Sequence, residues 1–172
     1  MDFGNLVQAR RSVRSFTNQE VSHEDIIQIL RAAQAAPSGG NMQPWHFYVV
    51  RSQEVKQDFY DNCCQQNTML TAPVLIAVVA EPERSGSKYG ERGRTLYCIQ
   101  DTAAAIQNIL LCARELGLGT CWCGAFNEDE AIRILGLQKG MRPVALIPVG
   151  VPELEPAPRG RRELSELVTF IN

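Results

Sequence analysis

The segment PVLIAVVA, residues 73–80, constrains the fold most strongly because all of its positions are apolar. It is too short to cross a bilayer as a helix, which needs about 20 residues. An unbroken apolar run of this length is typical of a β-strand that is covered on both faces. PVALIPVG at 143–150 has the same character, and WHFYVV at 45–50 predicts a third strand. We therefore expect a central sheet with helices packed against it.

The helices are predicted from capping residues and from periodicity. SHED, Ser22 to Asp25, is a capping box that opens a helix ending before Pro37. Residues 97–116 form the longest helical pattern of the chain, apolar on more than one side. Such a helix must be buried in the core or against a second subunit. Asn127, followed by three acidic residues, predicts the start of another helix.

The remaining segments suggest a simple organisation. Residues 81–95 form a polar connection that contains glycine. No internal repeat, low-complexity block or linker divides the chain. The sequence therefore predicts a single domain over residues 1–172, of the α+β class, with a mixed central sheet flanked by helices.

Charge and composition exclude several kinds of function. The formal net charge is −2 and the isoelectric point is about 5.7, whereas nucleic-acid-binding domains are usually basic, so no nucleic-acid partner is expected. The N-terminal segment resembles neither a secretory signal nor a transit peptide, so we expect a cytoplasmic protein without membrane contact. The six cysteines contain no C-x-x-C pair, and neither histidine has a ligand spacing from a cysteine, so no metal site is expected.

Familiar catalytic motifs are absent from the sequence. There is no G-x-G-x-x-G after a strand, no P-loop and no G-x-S-x-G elbow, and two histidines give a hydrolytic triad little to draw on. We therefore assign no catalytic side chain. If the chain is an enzyme, a cofactor is expected to carry its chemistry.

Two arginine-rich segments lie at opposite ends of the sequence: RRSVR at 10–14 and PRGRR at 158–162. Arginine's planar fork and the serine hydroxyl suit a phosphate dianion, and chain ends often lie close together in space. The two segments would then hold one phosphate from both sides. The alternative is an ordinary helix C-terminus, where arginine complements the helix dipole.

Two glycine-containing segments offer contacts for a flat ligand. In APSGGNMQPWHF, Gly39 and Gly40 would let the backbone approach such a ligand, while Ser38 and Asn41 supply donors and acceptors. In CWCGAF, residues 121–126, a turn after the tryptophan would present backbone N–H groups. The alternatives are a helix-to-strand loop for the first segment and a buried turn for the second.

Six segments, taken in order, resemble the FMN-dependent nitroreductase family over residues 5–168. They are RRSVRSF, APSGGNMQPWHFYVV, APVLIAVVA, YCIQDTAAAIQNILLCARELGLGTCWCGAF, LGLQKGMRPVALIPVGVP and PRGRRELSEL. The resemblance implies an intertwined homodimer with tightly bound FMN at the subunit interface, in which residues 97–116 form the central dimer helix. It also implies a ping-pong hydride mechanism. NADH or NADPH reduces FMN, and a nitroaromatic, quinone or similar small-molecule acceptor then takes the electrons at the same face.

The resemblance also implies which residues contact the flavin. Arg14 would lie at the pyrimidine edge, where a guanidinium stabilises the reduced ring. Gln66 would contact the ring, although Gln65 competes for that position. The other contacts fall into three groups: Arg10, Arg11, Ser12, Arg159 and Arg161 at the phosphate and ribityl chain; Pro37, Ser38, Gly39 and Asn41 from the other subunit; and Trp122 with the backbone N–H groups of Cys123 and Gly124 at N5 and O4.

Departures from the family pattern leave alternatives open. Some members carry a lysine where this chain has Thr68, and the connection at 81–95 is the only evident lid. A specialised member such as a reductive dehalogenase is one alternative to a general reductase. An FMN-binding module without turnover, or a redox sensor that uses Cys121 and Cys123, is another. Two cysteines one residue apart are poorly placed for an unstrained disulfide with each other.

Overall fold

The computed structural model describes residues 1–171. Its strands are separated along the chain by one or two helices. The helices are α1 (Phe3–Ala9), α2 (His23–Gln34), α3 (Gln53–Asp58), α4 (Thr68–Thr71), α5 (Pro82–Arg92), α6 (Cys98–Glu115) and α7 (Glu128–Leu135). The strands are β1 (Trp45–Val50), β2 (Val74–Ala80), β3 (Gly119–Thr120) and β4 (Arg142–Gly150). Short π-helical turns extend α3 through Phe59–Cys63 and precede α6 at Gly93–Tyr97.

The four strands form one sheet in the order β1-β2-β4-β3, and every named pair is antiparallel. A parallel component is contributed by an isolated bridge between Ser12 and Thr120. The α+β class is thereby confirmed, as are the strands expected at 45–50, 73–80 and 143–150. Every residue of β2 is fully buried, as its unbroken apolar run predicts.

Both faces of the sheet are covered. On one face α2 and α6 pack against alternate residues of β2, including Ile76 and Val78. On the other face Leu75 and Ala77 contact the turn after α3, α7 and four cysteines. The alternation follows from the pleat of the strand, which sends successive side chains to opposite faces. A strand with a helical layer on each side must be apolar throughout, and β2 is.

The predicted helices begin where their capping residues indicate. The Ser22 hydroxyl accepts a hydrogen bond from the N–H of Asp25 at 3.0 Å, and the Asn127 side chain accepts bonds from the N–H groups of Asp129 and Glu130. These bonds satisfy donors that the first helical turn leaves free. The pattern at 97–116 corresponds to α6, and one of its faces is buried against α2 and the sheet.

The polar connection at 81–95 is helical, which the sequence did not predict: it consists of α5 followed by a π-helical turn. Pro82 occupies the first helical turn, where its missing N–H costs nothing. Gly90 then adopts a positive φ of 56° and kinks the chain. A Cβ at Gly93 would lie 2.5 Å from the carbonyl oxygen of Ser85, so close packing of small residues helps to hold this segment in place.

Candidate functional site

The two arginine-rich ends of the chain meet in space. Together they line a cavity of about 830 Å³, which we call the arginine cavity. Its lining includes Ser12 and five arginines: Arg10, Arg11, Arg14, Arg159 and Arg161. Among the described residues, none of these five forms an ion pair with a carboxylate. The cavity therefore concentrates positive charge that the protein itself does not neutralise.

Backbone hydrogen bonds bring the two ends together beside the sheet. The N–H of Val13 donates to the carbonyl of Thr120 at 2.8 Å, which attaches the N-terminal segment to β3. The N–H of Thr17 donates to Val151, and the N–H of Glu153 donates back to Ser15. Val13 and Phe16 are buried, so the residues between them are held at the surface. The segment after β4 thus runs alongside the segment that carries the first arginines.

The guanidinium groups of the arginine cavity make only local contacts. Arg11 donates to the backbone carbonyls of Gln8 and Arg10, and Arg14 donates to Ser12 at 3.4 Å. Arg161 donates to the backbone carbonyls of Arg159 at 3.4 Å and of Gly160 at 3.2 Å. Each guanidinium carries five N–H donors, so most of them stay available to an anion. A phosphate dianion matches this donor set in both charge and geometry.

A second cavity adjoins the first. It has a volume of about 560 Å³, and because Cys121 and Cys123 are among its lining residues we call it the thiol cavity. Its lining consists of Arg14, Gln66, Asn67, Thr68 and residues 121–125. Arg14 lines both cavities, so they meet at this side chain. Trp122 stands at the rim with 41% of its surface exposed.

Of the two backbone N–H groups expected to contact a ligand in the thiol cavity, one is already bonded within the protein and one is free. The N–H of Cys123 donates to the carbonyl of Leu146 at 3.0 Å, and the N–H of Leu146 returns a bond to Cys123 at 2.9 Å. The Cys123 amide is therefore not free for a ligand, contrary to the expectation from the sequence. The Gly124 N–H has no hydrogen-bond partner among residues 1–171. Only the second of the two expected amides can reach a ligand.

Other polar groups in the thiol cavity also lack partners. The Thr68 hydroxyl is buried, and among the described residues its one polar contact is a weak one with the Cys123 thiol, whose pKa it lowers. A buried polar atom without a partner is costly, so this hydroxyl is a natural contact for a ligand. The Cys123 thiol donates to Oε1 of Gln66 at 3.4 Å, which orients the glutamine toward the same cavity.

The pKa values of Cys121 and Cys123 are shifted in opposite directions. Interaction with the Cys123 thiol lowers the pKa of Cys121, burial opposes this shift, and the positive charges of Arg14 and Arg10 add to the lowering. The same interaction with Cys121 raises the pKa of Cys123, and burial raises it further. One sulfur is thus favoured as a thiolate and its neighbour as a hydrogen-bond donor.

The loop expected to come from another subunit lies apart from both cavities. Pro37, Ser38, Gly39 and Asn41 are absent from the linings of the arginine cavity and of the thiol cavity. The Gly39 N–H instead donates to both carboxylate oxygens of Asp101 on α6, at 3.1 and 3.2 Å. Within one chain the structure therefore does not bring these four residues to the other predicted contacts.

The backbone of this loop adopts an uncommon conformation. Gly40 and Asn41 have φ angles of 56° and 58°, and Gln43 has a φ of 49°. Positive φ is easy for glycine and costs energy for other residues, more so for glutamine than for asparagine. Such strain persists only where the surroundings enforce it, and it is concentrated at binding sites. The loop is thus held in a specific shape at the surface.

Some residues of the site were missed at the sequence level. Asn67 and Gln107 line the cavities, although neither was predicted as a contact from the sequence. Asp101 is buried on α6, and an acidic residue within an otherwise apolar helical pattern was a signal that could have identified it. Burial raises the pKa of Asp101, while the hydrogen bond from Gly39 lowers it.

The described residues were also searched for a metal site and for a membrane-spanning helix. Over residues 1–171, no group of three or more histidine, cysteine, aspartate or glutamate side chains is arranged to hold a metal ion. The helices of the same part of the chain include none long and apolar enough to cross a membrane.

Comparison with known proteins identifies relatives along most of the chain. The model of the nitroreductase family matches residues 7–68 and 59–151. A protein of Archaeoglobus fulgidus, whose name describes an NADH dehydrogenase/NAD(P)H nitroreductase, is 35% identical over 154 residues, which cover 87% of this chain and 85% of the relative. A nitroreductase family protein from Clostridium novyi superposes with a TM-score of 0.81 at 32% identity, covering 89% of this chain and 86% of the other. An iodotyrosine deiodinase of Thermotoga neapolitana is 25% identical, with 90% of each chain covered.

Proposed function

The chain belongs to the nitroreductase family, and from that membership we propose that it is an FMN-dependent oxidoreductase that uses NADH or NADPH to reduce nitroaromatics, quinones or similar acceptors. One observation carries the proposal: five arginines without carboxylate partners, drawn from both ends of the chain, line a cavity that adjoins a second cavity suited to a ring. Charge of one sign, collected in this way and left unpaired, favours an anionic ligand.

The residues present fit FMN on both sides. In the arginine cavity, Arg10, Arg159 and Arg161 would hold the phosphate through charge-assisted bonds, with the Ser12 hydroxyl as a further donor. Arg11 would add a further positive charge near the phosphate. A neutral ligand would leave these guanidinium groups without a counter-charge, so the donor set favours an anionic ligand such as a phosphate.

In the thiol cavity, the free groups of the protein suit the edge of a heteroaromatic ring. The Gly124 N–H and the Thr68 hydroxyl offer hydrogen bonds, and Gln66 offers both a donor and an acceptor. Arg14, at the junction of the two cavities, would place positive charge where a reduced flavin becomes negative. Trp122 would cover the rim.

Bound FMN would supply the redox chemistry by accepting hydride from the nicotinamide and passing electrons to the acceptor. The chain's own contribution is to bind, orient and charge-stabilise the group. This division explains why no nucleophile or general base was found at the sequence level. Arg14 is the residue whose charge acts most directly on the reaction, because it favours the reduced and negatively charged state over the oxidised one.

We further propose that the protein is a homodimer in which the C-terminal arm of each subunit, defined here as residues 153–171, packs its apolar side chains against the other subunit, while Arg159 and Arg161 stay at the arginine cavity of their own chain. This arm carries apolar side chains that the chain itself leaves exposed, among them Phe170 at 86% and Ile171 at 93% exposure. Apolar side chains grouped in this way indicate a protein partner. In such a dimer the loop at 37–41 would reach the thiol cavity of the other subunit. The cytoplasmic location stays a prediction.

The first experiment is the visible absorption spectrum of the purified protein, followed by anaerobic addition of NADH and, separately, NADPH. We expect a flavin spectrum that bleaches with at least one donor. Reoxidation is then followed with a nitroaromatic, a quinone and an iodotyrosine, the last because one relative is named as a deiodinase. A protein that is colourless and takes up no added FMN would refute the proposal. A flavin that neither donor reduces would support the non-catalytic alternative.

A double substitution tests the phosphate site. Arg10→Ala together with Arg161→Ala removes one guanidinium from each end of the chain, and each lost charge-assisted bond is worth about 1.5–3 kcal/mol. We expect FMN to bind at least about tenfold more weakly for each substitution, as measured by fluorescence quenching on titration. Arg31→Ala is the matched control, because Arg31 is exposed on α2 and lies outside the arginine cavity. Equal flavin affinity in all three proteins would contradict the assignment.

A further inference from the structure

Lys56, on α3, is buried although its side chain carries an ammonium group. Only 4% of its surface is exposed, and among the described residues it forms no ion pair with a carboxylate. Its Nζ donates to the backbone carbonyl of Ala72 at 2.7 Å. A buried amine is costly unless its hydrogen bonds serve the structure, so this bond identifies where Lys56 acts.

The acceptor of this bond lies at the end of α4. Ala72 follows the last helical residue, Thr71, and is fully buried. A helix leaves its last carbonyls without partners, and among residues 1–171 the carbonyl of Ala72 accepts only the bond from Lys56. An apolar side chain at position 56 would leave this carbonyl buried and unpaired, which is unfavourable. Lys56 therefore fastens the end of α4 to α3.

Ala72 also contacts the N-terminal segment of the chain. It forms a small buried cluster with Val13 and Phe16. Arg14, which lines the thiol cavity, lies between these two residues in the sequence. A shift of Ala72 would therefore move the backbone that carries Arg14, because a close-packed cluster leaves no free space to absorb it.

In the other direction, α4 connects Ala72 with two further residues of the thiol cavity. The N–H of Ala72 donates to the carbonyl of Thr68 at 3.2 Å, and the N–H of Met69 donates to that of Gln66 at 2.9 Å. Both Thr68 and Gln66 line the cavity. Because a single hydrogen-bonded turn separates them from Ala72, the position of one end of α4 determines the position of the other.

The helix that carries Lys56 is itself firmly held. The Ser52 hydroxyl accepts a hydrogen bond from the N–H of Val55 at 3.3 Å, which caps the start of α3. Val55 packs against the buried cluster on the second face of the sheet, and Phe59, at the end of α3, belongs to that cluster and is fully buried. Lys56 thus extends from a fixed support.

We propose that Lys56 is a positioning residue of the thiol cavity. Its bond to Ala72 fixes α4 relative to the segment that carries Arg14. By this means it determines where Gln66 and Thr68 lie relative to the Arg14 guanidinium. Lys56 does not line the cavity, so it acts through the residues that do. The consequence for a bound flavin rests on the proposed function, whereas the consequence for α4 does not.

The first test needs no flavin. Lys56→Met keeps the apolar stem of the side chain and removes the donor. Hydrogen exchange of the full-length, flavin-free protein is followed by mass spectrometry. We expect the amides of Met69–Ala72 to exchange at least about tenfold faster in the variant, because the end of α4 loses its attachment. The amides of β2 and α6 should exchange at the wild-type rate. Equal exchange of α4 in the two proteins would overturn the proposal.

Three control variants separate positioning from general stability. Lys139→Met makes the same change at an exposed lysine and should leave exchange unaltered. Ile29→Val weakens the core on the other face of the sheet and should not accelerate α4 selectively. Lys56→Arg retains N–H donors and should restore most of the lost protection. A uniform acceleration of all segments in Lys56→Met, or failure of both Lys56 variants to fold, would make Lys56 a stability residue only and overturn the proposal.

The second test measures FMN affinity by fluorescence quenching. We expect Lys56→Met to bind FMN about three- to tenfold more weakly, which corresponds to one misplaced hydrogen bond. In a background with Gln66→Ala and Thr68→Val, the same substitution should have little further effect, because the contacts that it displaces are already gone. Independent, additive losses would contradict action through these residues. Wild-type protein that binds no FMN would refute the proposed function, and hydrogen exchange would then decide the role of Lys56 alone.

Discussion

Small residues beside the sheet allow the two ends of the chain to meet. A Cβ at Gly119 would lie 2.7 Å from Cγ2 of Val13, and a Cβ at Gly150 would lie 2.6 Å from Cδ of Pro73 and 2.9 Å from Cδ1 of Phe16. Real Cβ atoms do not approach other atoms so closely. Glycine is thus required at both positions by close packing, since no positive φ is found at either. The position of the arginine cavity depends on these two missing side chains.

We expect Gly150→Ala to destabilise the protein by roughly 1–3 kcal/mol, because overpacking of a filled region forces its neighbours to move. Gly160→Ala is the matched control, since a Cβ there meets nothing within 4 Å. The measurement is urea unfolding followed by circular dichroism. Equal midpoints for the two variants would show that Pro73 and Phe16 can move aside without cost.

At the residue scale, the sequence predicted which side chains gather but not how their backbones are used. Arginines near positions 10 and 160 were expected to share a ligand, and the structure places them around one cavity. Residue type cannot show that the Cys123 amide is already bonded to Leu146, because that bond depends on a partner far along the chain. The orphaned Thr68 hydroxyl has the same explanation, since burial without a partner is a property of the packed state.

At the scale of elements, the accuracy of the predictions follows from how strongly periodicity marks each segment. The apolar runs at 73–80 and 143–150 are strands, and the long pattern at 97–116 is α6. The predictions for these segments are correct because burial on two sides requires apolar residues at almost every position. The helix α5 was missed because it is polar, and its packing uses Ser85 and Gly93 rather than large apolar side chains. Its helical state depends on tertiary contacts that the composition does not reveal.

The contact between α6 and the loop at 37–41 predicts a pH dependence. Burial raises the pKa of Asp101, and the bond from Gly39 opposes that shift. The folded state thus holds the proton of Asp101 more tightly than the unfolded state does. Stability from this group is present in acid and is lost as the pH rises from the ordinary carboxyl range toward the raised value.

Asp101→Asn removes this component while its amide oxygen still accepts from Gly39. We expect the stability of the variant relative to the wild type to increase from pH 4 to pH 7, as measured by urea unfolding at each pH. Asp129→Asn, at an exposed position on α7, is the control and should show no comparable trend. A difference that stays constant across this range would show that Asp101 does not carry the effect.

At the scale of the whole molecule, the C-terminal arm stands out because it leaves large apolar side chains exposed to solvent. Leu154, Leu164 and Phe170 are each more than 70% exposed. Burying one large apolar side chain contributes about 1.5–3 kcal/mol, so several of them could hold two subunits together. The sequence suggested a second subunit only through α6 and the family resemblance. The arm adds an independent reason that composition alone could not supply, because exposure is a property of the folded chain.

We expect light scattering to give twice the chain mass of 19.1 kDa. Phe170→Asp should weaken the dimer at least about tenfold by removing one buried aromatic contact. Thr169→Asp introduces the same charge at the neighbouring exposed position and should have a smaller effect. A monomeric wild-type protein would contradict the proposed packing of the arms against the other subunit, and equal dimer affinities in both variants would exclude Phe170 from the interface.

The meeting of both chain ends around the arginine cavity has a mechanical consequence. If the proposed phosphate site is right, an anion held by Arg10 and Arg161 would act as a removable link between the two ends of the polypeptide. Pulling on the two ends with optical tweezers would load this link before it loads the sheet, since the hydrogen bonds of the first and last segments lie directly behind it. The force at which the chain ends separate should therefore rise with ligand concentration. The mechanical stability of the protein would then depend on how much of it is bound to ligand.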